Sequence, residues 1–381
     1  MLVVQFDNVL TIDGVPMYPG VRYVVSEDVA QSMIQEGAKG GVRLIRHSGF
    51  NTFERRLRPE ATKAGEVVLL WRHNAFGDNL MVTGLCAYLK LGLGLKVHVV
   101  CAPHVMPIWA GMDKAIRPDA ILPTPVYFEA TQHVYDWHIM WQAMLEENRE
   151  LDQGNAIDDL WSFAGFDKEI ADNYRRPVIR QHGKPKGDAI GIALHSGNCT
   201  RTMPITWNVQ LIFAIHAKFP HRKVIVFGLD KKMGEMLNRY LNPSFDDEAY
   251  ILKLPPDIQK KHGIIPVDYV SNMVGKINFA ETMKLVEEEV GVMISPDSAL
   301  LHLAEGLGIP SIGLWGLFHP DDRTKYYKHH TGITGFEGCA HAPCRWHGMN
   351  VFPMDKCGVL SNPDRCNALS SIKVERVIES I

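Results

Sequence analysis

The hydrophobic pattern changes character once along the chain, at Glu66. Before it, short strand-like runs (Val3 to Phe6, Val21 to Val25 and Val42 to Ile45) stand between Gly, Pro and Asp turns. Ser26-Glu27-Asp28 leads into a short helix over Val29 to Gln35, with a capping start and Gly37 at its end. These signals predict a small α+β unit over residues 1–65. It closes in a polar stretch, His47 to Ala64, where Arg55, Arg56, Arg58 and Lys63 suit a solvated linker better than an acceptor-binding patch.

After Glu66, strand and helix periods alternate. Val67 to Trp71 is a continuous apolar run, as expected of a parallel strand buried on both faces. The loop Arg72 to Asp78 follows, then a helix from Asn79 to Leu91, a strand over Lys96 to Cys101 and a short helix over His104 to Met112. From Asp113 to Asn155 the pattern is weaker. Its aromatic and His-rich segments (His133, Tyr135, Trp137, His138, Trp141) suit a cleft lining or a packed core. Helices are expected over Ile157 to Phe166 and Ile170 to Tyr174. Gln181 to Gly187, with Gly, Pro and charge but no apolar period, reads as an interdomain linker.

A second series then begins with a strand over Ala189 to Leu194 and an amphipathic helix over Thr206 to Phe219, with Thr206 as its N-cap. Lys223 to Phe227 is a strand and Lys231 to Leu241 a helix, with short strands over Tyr250 to Leu254 and Val270 to Val274. Helix Phe279 to Glu289, strand Val290 to Ile294, helix Ser298 to Leu307 and strand Pro310 to Trp315 complete it, with Ser298 placed to cap and Gly308 to end the third of these. Two such series around a linker predict an α/β protein with two Rossmann-like domains, 66–182 and 183–381, facing one cleft.

Composition adds boundaries to this picture. A chain of 381 residues has room for two or three domains, and 46% hydrophobic with 22% charged residues is that of a soluble globular protein. A net charge of −3 exerts no global pull on nucleic acid or anionic membrane. No apolar run nears the roughly 20 residues that span a bilayer, and no basic-then-apolar signal peptide opens the chain, so a cytoplasmic protein without a transmembrane segment is expected. Cys86, Cys101 and Cys199 fall in or beside core elements. Cys339, Cys344, Cys357 and Cys366 crowd the last fifth of the chain with His341 and His347 nearby, but form no CxxC pair. Structural thiols, reduced or partly paired, rank first for them, structural zinc second and a catalytic metal last.

Ligands of open α/β sheets bind at the carboxyl ends of the strands, and three loops lie there. In the first, which includes Asn74, Gly77 allows close backbone approach, and Asp78 is either a helix cap or a general base facing the cleft. In the second, His195-Ser196-Gly197 is a small-residue turn followed by Arg201, a combination suited to a diphosphate, or a plain crossover loop with one solvated arginine. In the third, Asp297-Ser298-Ala299 opens a helix whose first N–H groups could hold phosphate, although every βα unit has such a turn. No Gly-Lys-Ser/Thr phosphate loop and no Gly-x-Gly-x-x-Gly fingerprint follows a strand, which removes the best evidence for an ATPase or a dinucleotide enzyme.

The order and spacing of three segments resemble a known family. Val67 to Asp78, Ile190 to Pro204 and Ser295 to Gly308 with Pro310 to Gly316 are similar to glycosyltransferase family 9, which includes the lipopolysaccharide heptosyltransferases. The resemblance covers roughly residues 66 to 381 and implies a GT-B fold with an inverting mechanism. It places Asp78 as general base and Arg201 where the family has a Lys on the donor diphosphate. It puts Asp297, Ser298 and Ala299 in the donor loop and His302 on the next helix, where a packing role competes with ligand contact. Gly77, Asn74, His195, Ser196 and Gly197 line the same site. It implies a nucleotide-sugar donor, with an ADP-linked one among the candidates and the base left open, no cofactor and no catalytic metal, and no Asp-x-Asp motif is present. The acceptor would be a glycan hydroxyl; a lipopolysaccharide acceptor would bring peripheral membrane contact, and modified DNA stays open. Ser196, Ala299, Thr202-Met203 and His319 depart from the family pattern around the donor pocket, and residues 1–65 have no counterpart in it. A nucleotide-sugar epimerase and a non-catalytic nucleotide-sugar-binding scaffold are the alternatives.

Overall fold

Strands that are apolar on both faces need a sheet covered on both sides, and the chain builds two of these. The computed structural model describes residues 57–71, 75–123, 135–140, 155–166, 172–196, 201–241, 265–266, 268–344 and 366–381, together with the backbone of five earlier strands. Those five are β1 (Leu2–Phe6), β2 (Leu10–Ile12), β3 (Val15–Met17), β4 (Arg22–Val25) and β5 (Val42–Ile45). They form an antiparallel sheet in the order β4-β1-β5 and a separate β2-β3 hairpin. The hydrophobic runs locate β1, β4 and β5; the short hairpin, with Pro16 opposite Thr11, escaped them. The helix expected over Val29 to Gln35 lies outside the described residues.

The first Rossmann-like unit contains β6 (Val67–Trp71), α1 (Phe76–Leu91), β7 (Lys96–Cys101), α2 (Met106–Ala110), β8 (Ala120–Pro123), β9 (Trp137–Met140) and α3 (Ala156–Phe163). Its sheet is parallel in the order β8-β7-β6-β9. The second unit runs through β10 (Ala189–Ala193), α4 (Ile205–Lys218), β11 (Val224–Phe227), α5 (Lys231–Leu241), β12 (Val270–Asn272) and α6 (Phe279–Glu289). It continues with β13 (Val290–Pro296), α7 (Ala299–Leu307), β14 (Ser311–Trp315), α8 (Asp321–Thr324), β15 (His330–Thr334), α9 (Asn367–Ser370) and α10 (Val374–Glu379). Its six parallel strands follow the order β12-β11-β10-β13-β14-β15. The strand order therefore reverses between β10 and β13, and that is where such sheets open a ligand crevice.

Two helix starts differ from the sequence reading. Helix α1 begins at Phe76, three residues before Asn79, so Asp78 sits in its first turn and Ala75 holds the N-cap position. Helix α4 starts at Ile205 after Pro204, which leaves Thr206 inside the helix. Pro204 holds the N-cap position with no side-chain cap bond, and the buried amide of Asn208 donates back to the Pro204 carbonyl at 3.2 Å.

The two units share a core. One apolar cluster runs from Leu80, Leu85 and Trp109 of the first into Met283, Val286, Leu303 and Leu307 of the second. Burying each of these large aliphatic side chains contributes about 1.5–3 kcal/mol, so the junction is a packed interface. The stretch expected as a linker takes part in it. Ile179 and Arg180 donate to the Gly306 carbonyl, and a Cβ on Gly183 would meet the Leu307 oxygen at 2.0 Å. Polar ties flank this core. Asp158 at the start of α3 accepts from Arg175 at 2.8 Å and Tyr326 at 2.5 Å, and Arg180 forms a two-pronged pair with Glu287 of α6.

Candidate active site

The crevice is built from the ends of β6, β10 and β13. On the first side, α1 is anchored along its buried face. Asn79 accepts from the buried Trp109 indole at 3.1 Å, and Thr83 accepts the Val178 N–H at 2.9 Å. Ala75, just before the helix, has φ 57° and ψ 118°, a conformation that costs an L-residue of order 1–3 kcal/mol. Phe76 stacks on Phe279 of the second unit with ring centroids 4.0 Å apart and places its edge against His104. Gly77 follows in close contact with the second unit: a Cβ there would stand 3.1 Å from His302 Cδ2 and 3.8 Å from Ala299 Cα. The turn that carries Asp78 is thus pressed directly on the first turn of α7. Asn74 lies outside the described residues.

On the opposite side, the end of β10 presents His195 and Ser196. His195 Nε2 accepts weakly from the Leu229 N–H at 3.4 Å, while burial, only partly countered by Asp230, pushes the imidazole pKa down and favours the neutral ring. Its buried Nδ1 has no hydrogen-bond partner among the described residues. Ser196 Oγ donates to the Asp297 carbonyl at 2.9 Å, which ties the β10 loop to the β13 loop. Gly197 lies outside the described residues. Arg201 reaches across the crevice, with Nη1 3.0 Å from Asp297 Oδ2 and 3.3 Å from the Asp297 carbonyl.

Asp297 is 5% exposed, and burial alone would raise its pKa. The His302 imidazole and the charges of Arg201 and Arg323 outweigh that penalty and hold it well below the usual carboxylate range. Ser298 occupies the N-cap position of α7, but its hydroxyl turns to Ser295 Oγ at 2.8 Å and forms no cap bond. The helix N-terminus therefore keeps backbone N–H groups that the Ser298 side chain does not use. His302 is 3% exposed, with Nδ1 2.5 Å from the Tyr327 hydroxyl and Nε2 3.7 Å from Asp297 Oδ1. Beside these residues a small pocket of about 10 Å³ is lined by Arg201, Asp297, Trp315, Phe318 and Leu369 among others.

The fold thus gathers Gly77, Asp78, Arg201, Ser196, Asp297, Ser298, Ala299 and His302 around one junction. Sequence reasoning missed Tyr327 and Arg323. Arg323 is 7% exposed and lies over the Phe318 ring at 4.3 Å. Both follow β14 in a segment with no recognisable loop signature; its only flag is the dense run Tyr326-Tyr327-Lys328-His329-His330. Cys339 and Cys344 pack against the core cluster that includes Cys366, and Cys357 lies outside the described residues. Among the described residues, no group of three or more His, Cys, Asp or Glu side chains is placed to hold a metal ion. No helix among them is long and apolar enough to cross a membrane.

Comparison with known proteins bears on the fold. Residues 247–349 match the family model of glycosyltransferase family 9 (heptosyltransferase). A search of curated protein sequences finds no match. Among solved structures, an E. coli heptosyltransferase determined with ADP is 12% identical, with a TM-score of 0.52 over 82% of this chain and 98% of that one. A glycosyl transferase family 9 protein from Veillonella parvula is also 12% identical, with a TM-score of 0.52 over 83% and 96%. A dodecameric iron-containing heptosyltransferase in complex with ADP-D-β-D-heptose, 14% identical, covers 99% of this chain and 90% of that one at a TM-score of 0.47. The fold is GT-B, and the chain resembles the heptosyltransferases of family 9.

Proposed function

From the family 9 match and the geometry of the crevice, we propose that this protein is an inverting glycosyltransferase. It moves a sugar, a heptose or a related one, from a nucleoside-diphosphate donor to an acceptor hydroxyl. The observation that carries this reading is the packing of the Gly77-Asp78 turn on the Ala299–His302 turn. It sets a carboxylate in the first turn of α1 close to the donor loop that Arg201 crosses. In this reading residues 66–182 hold the acceptor and residues 183–381 the donor. ADP is the first choice of nucleotide, because a relative of the same fold was solved with it.

Asp78 takes the proton of the acceptor hydroxyl as its oxygen attacks the anomeric carbon on the face opposite the diphosphate. The bond from that carbon to the diphosphate oxygen breaks as the new glycosidic bond forms. Arg201 and the N–H groups at the start of α7 meet the charge that develops on the leaving diphosphate, so they stabilise the transition state more than the bound donor. No residue here needs to form a covalent intermediate, and no metal is required for the charge balance. The closed junction around Phe76 and Phe279 limits water, which suppresses donor hydrolysis.

Asp78→Asn tests the assignment. Transfer is expected to fall by about 10²–10⁴-fold, the usual worth of a general base, while calorimetry shows ADP binding intact. Near-normal transfer by the variant with unchanged ADP binding removes Asp78 from the chemistry. Incubation of the donor alone separates the epimerase alternative, which converts it without any acceptor.

A further inference from the structure

The ring of His302 fills the seam between the two units, and its surroundings fix more than its position. Cδ2 abuts Gly77 of α1, Nε2 faces Asp297 Oδ1 at 3.7 Å, and Nδ1 lies 2.5 Å from the Tyr327 hydroxyl. A neutral imidazole carries one N–H, and the partner of each nitrogen decides where it resides. Two observations give the same answer. Tyr327 keeps part of its surface exposed, yet burial, with the charges of Glu305 and Asp297 behind it, pushes its phenol well above the ordinary range. It is therefore an intact O–H, and among the described residues His302 is its one hydrogen-bond partner.

Were Nδ1 to carry the proton, that buried hydroxyl would accept it and have nowhere to donate, a loss of about 1–3 kcal/mol. With the O–H donating to Nδ1, the proton resides on Nε2 and the phenol is satisfied. The carboxylate side gives the second argument. Asp297 is ionised, and an Nε2 lone pair turned toward its Oδ1 would be repelled, whereas an N–H there is attracted. Ring contacts agree with a fixed orientation: Tyr327 meets His302 edge-on at 6.0 Å and His330 edge-on at 6.0 Å, so its own ring is held between two imidazoles.

We propose that Tyr327 is a positioning residue that locks His302 in the Nε2–H tautomer and so aims a neutral N–H donor into the crevice between Asp297 and the first turn of α1. The role of that donor rests on the glycosyltransferase reading. A donor sugar diphosphate bound there meets an N–H that can stabilise charge growing on the leaving oxygen without giving up its proton. No atom is transferred to or from the histidine in this step. Arg201 supplies the full positive charge on the opposite side of Asp297.

The experiment has two arms. In the first, the protein is labelled with ¹⁵N-histidine, the His302 resonances are assigned by their loss in His302→Gln, and long-range ¹H–¹⁵N correlation identifies the protonated nitrogen. Wild type should show the pattern of a protonated Nε2, and Tyr327→Phe a mixture of tautomers. A protonated Nδ1 in wild type, or an unchanged pattern in Tyr327→Phe, overturns the proposal whatever the enzyme does. In the second arm, calorimetry with ADP measures Tyr327→Phe, His302→Gln and the double variant. A roughly 3- to 10-fold weaker ADP affinity is expected for Tyr327→Phe, with no further loss when it is added to His302→Gln, since the fixed amide no longer depends on the phenol. Additive losses would overturn the coupling. Absence of ADP binding by wild type would instead sink the donor assignment while leaving the tautomer result standing.

Discussion

Gly84→Ala measures how deeply α1 is seated, and the structure fixes both the sign and the rough size of the effect. In an isolated helix the change would be favourable by about 1 kcal/mol, because alanine is the better helix former. Here a Cβ on residue 84 would stand 2.1 Å from both the Tyr174 and the Arg176 carbonyl oxygens. Ordinary contact begins at 3.4 Å, so the obstacles must retreat by 3.4 − 2.1 = 1.3 Å. Both are backbone, and their segment cannot retreat cheaply. Arg175 is held by Asp158, Arg176 by the buried Glu305 at 2.7 Å, and Val178 by Thr83 of α1 itself. Overpacking of this kind costs about 1–3 kcal/mol and occasionally more, and two backbone collisions place it at the upper end. After the helix gain, a net loss of about 2 kcal/mol remains. With an m-value of roughly 3 kcal/mol per molar, urea melts should show a midpoint lower by about 0.7 M. Gly77→Ala is the internal control. Its nearest obstacle is a side-chain atom at 3.1 Å, which needs to give only a few tenths of an ångström, so its change should stay within about 1 kcal/mol. A Gly84→Ala midpoint at or above wild type would refute the backbone-to-backbone seating of α1.

Two further outcomes follow from the charges around the junction. Arg201→Ala should weaken ADP binding by roughly 10-fold or more, the worth of a charge-assisted contact, and an unaltered affinity in calorimetry removes Arg201 from the site. The hydrogen bond from Arg180, aided by Lys186 against partial burial, holds Glu287 at about 2. Because its folded pKa is depressed, its contribution to stability is present above the unfolded value of 4.5 and is lost as pH falls toward about 2. Glu287→Gln should therefore cost stability at neutral pH and flatten the acid limb of the denaturation midpoint between pH 4.5 and 2; a parallel offset at every pH would count against the pairing.

The sequence by itself determined the strongly patterned elements and their order, though not the β2-β3 hairpin or strands β8, β9 and β15. Strands such as Val67–Trp71 and Lys96–Cys101 read cleanly because a strand buried on both faces must be apolar throughout, and the turn at Gly308 read cleanly because its φ of 75° suits glycine. Order and spacing also made Asp78, Arg201 and Asp297 legible as one set, since loops at strand ends converge wherever a parallel sheet reverses its order. What the tertiary structure decided are contacts between residues far apart in the chain. The closeness of Gly77 to His302 depends on the mutual seating of two helices, which no local pattern encodes. Ser298 looked like a cap and turned to Ser295, because competition for a hydroxyl is settled by neighbours in space. Tyr327 resembled one aromatic among several until the fold set its hydroxyl on His302, and Arg201 resembled a lone cation until it met the buried carboxylate of Asp297. Periodicity reports which face of an element is buried; only packing reports what lies opposite it.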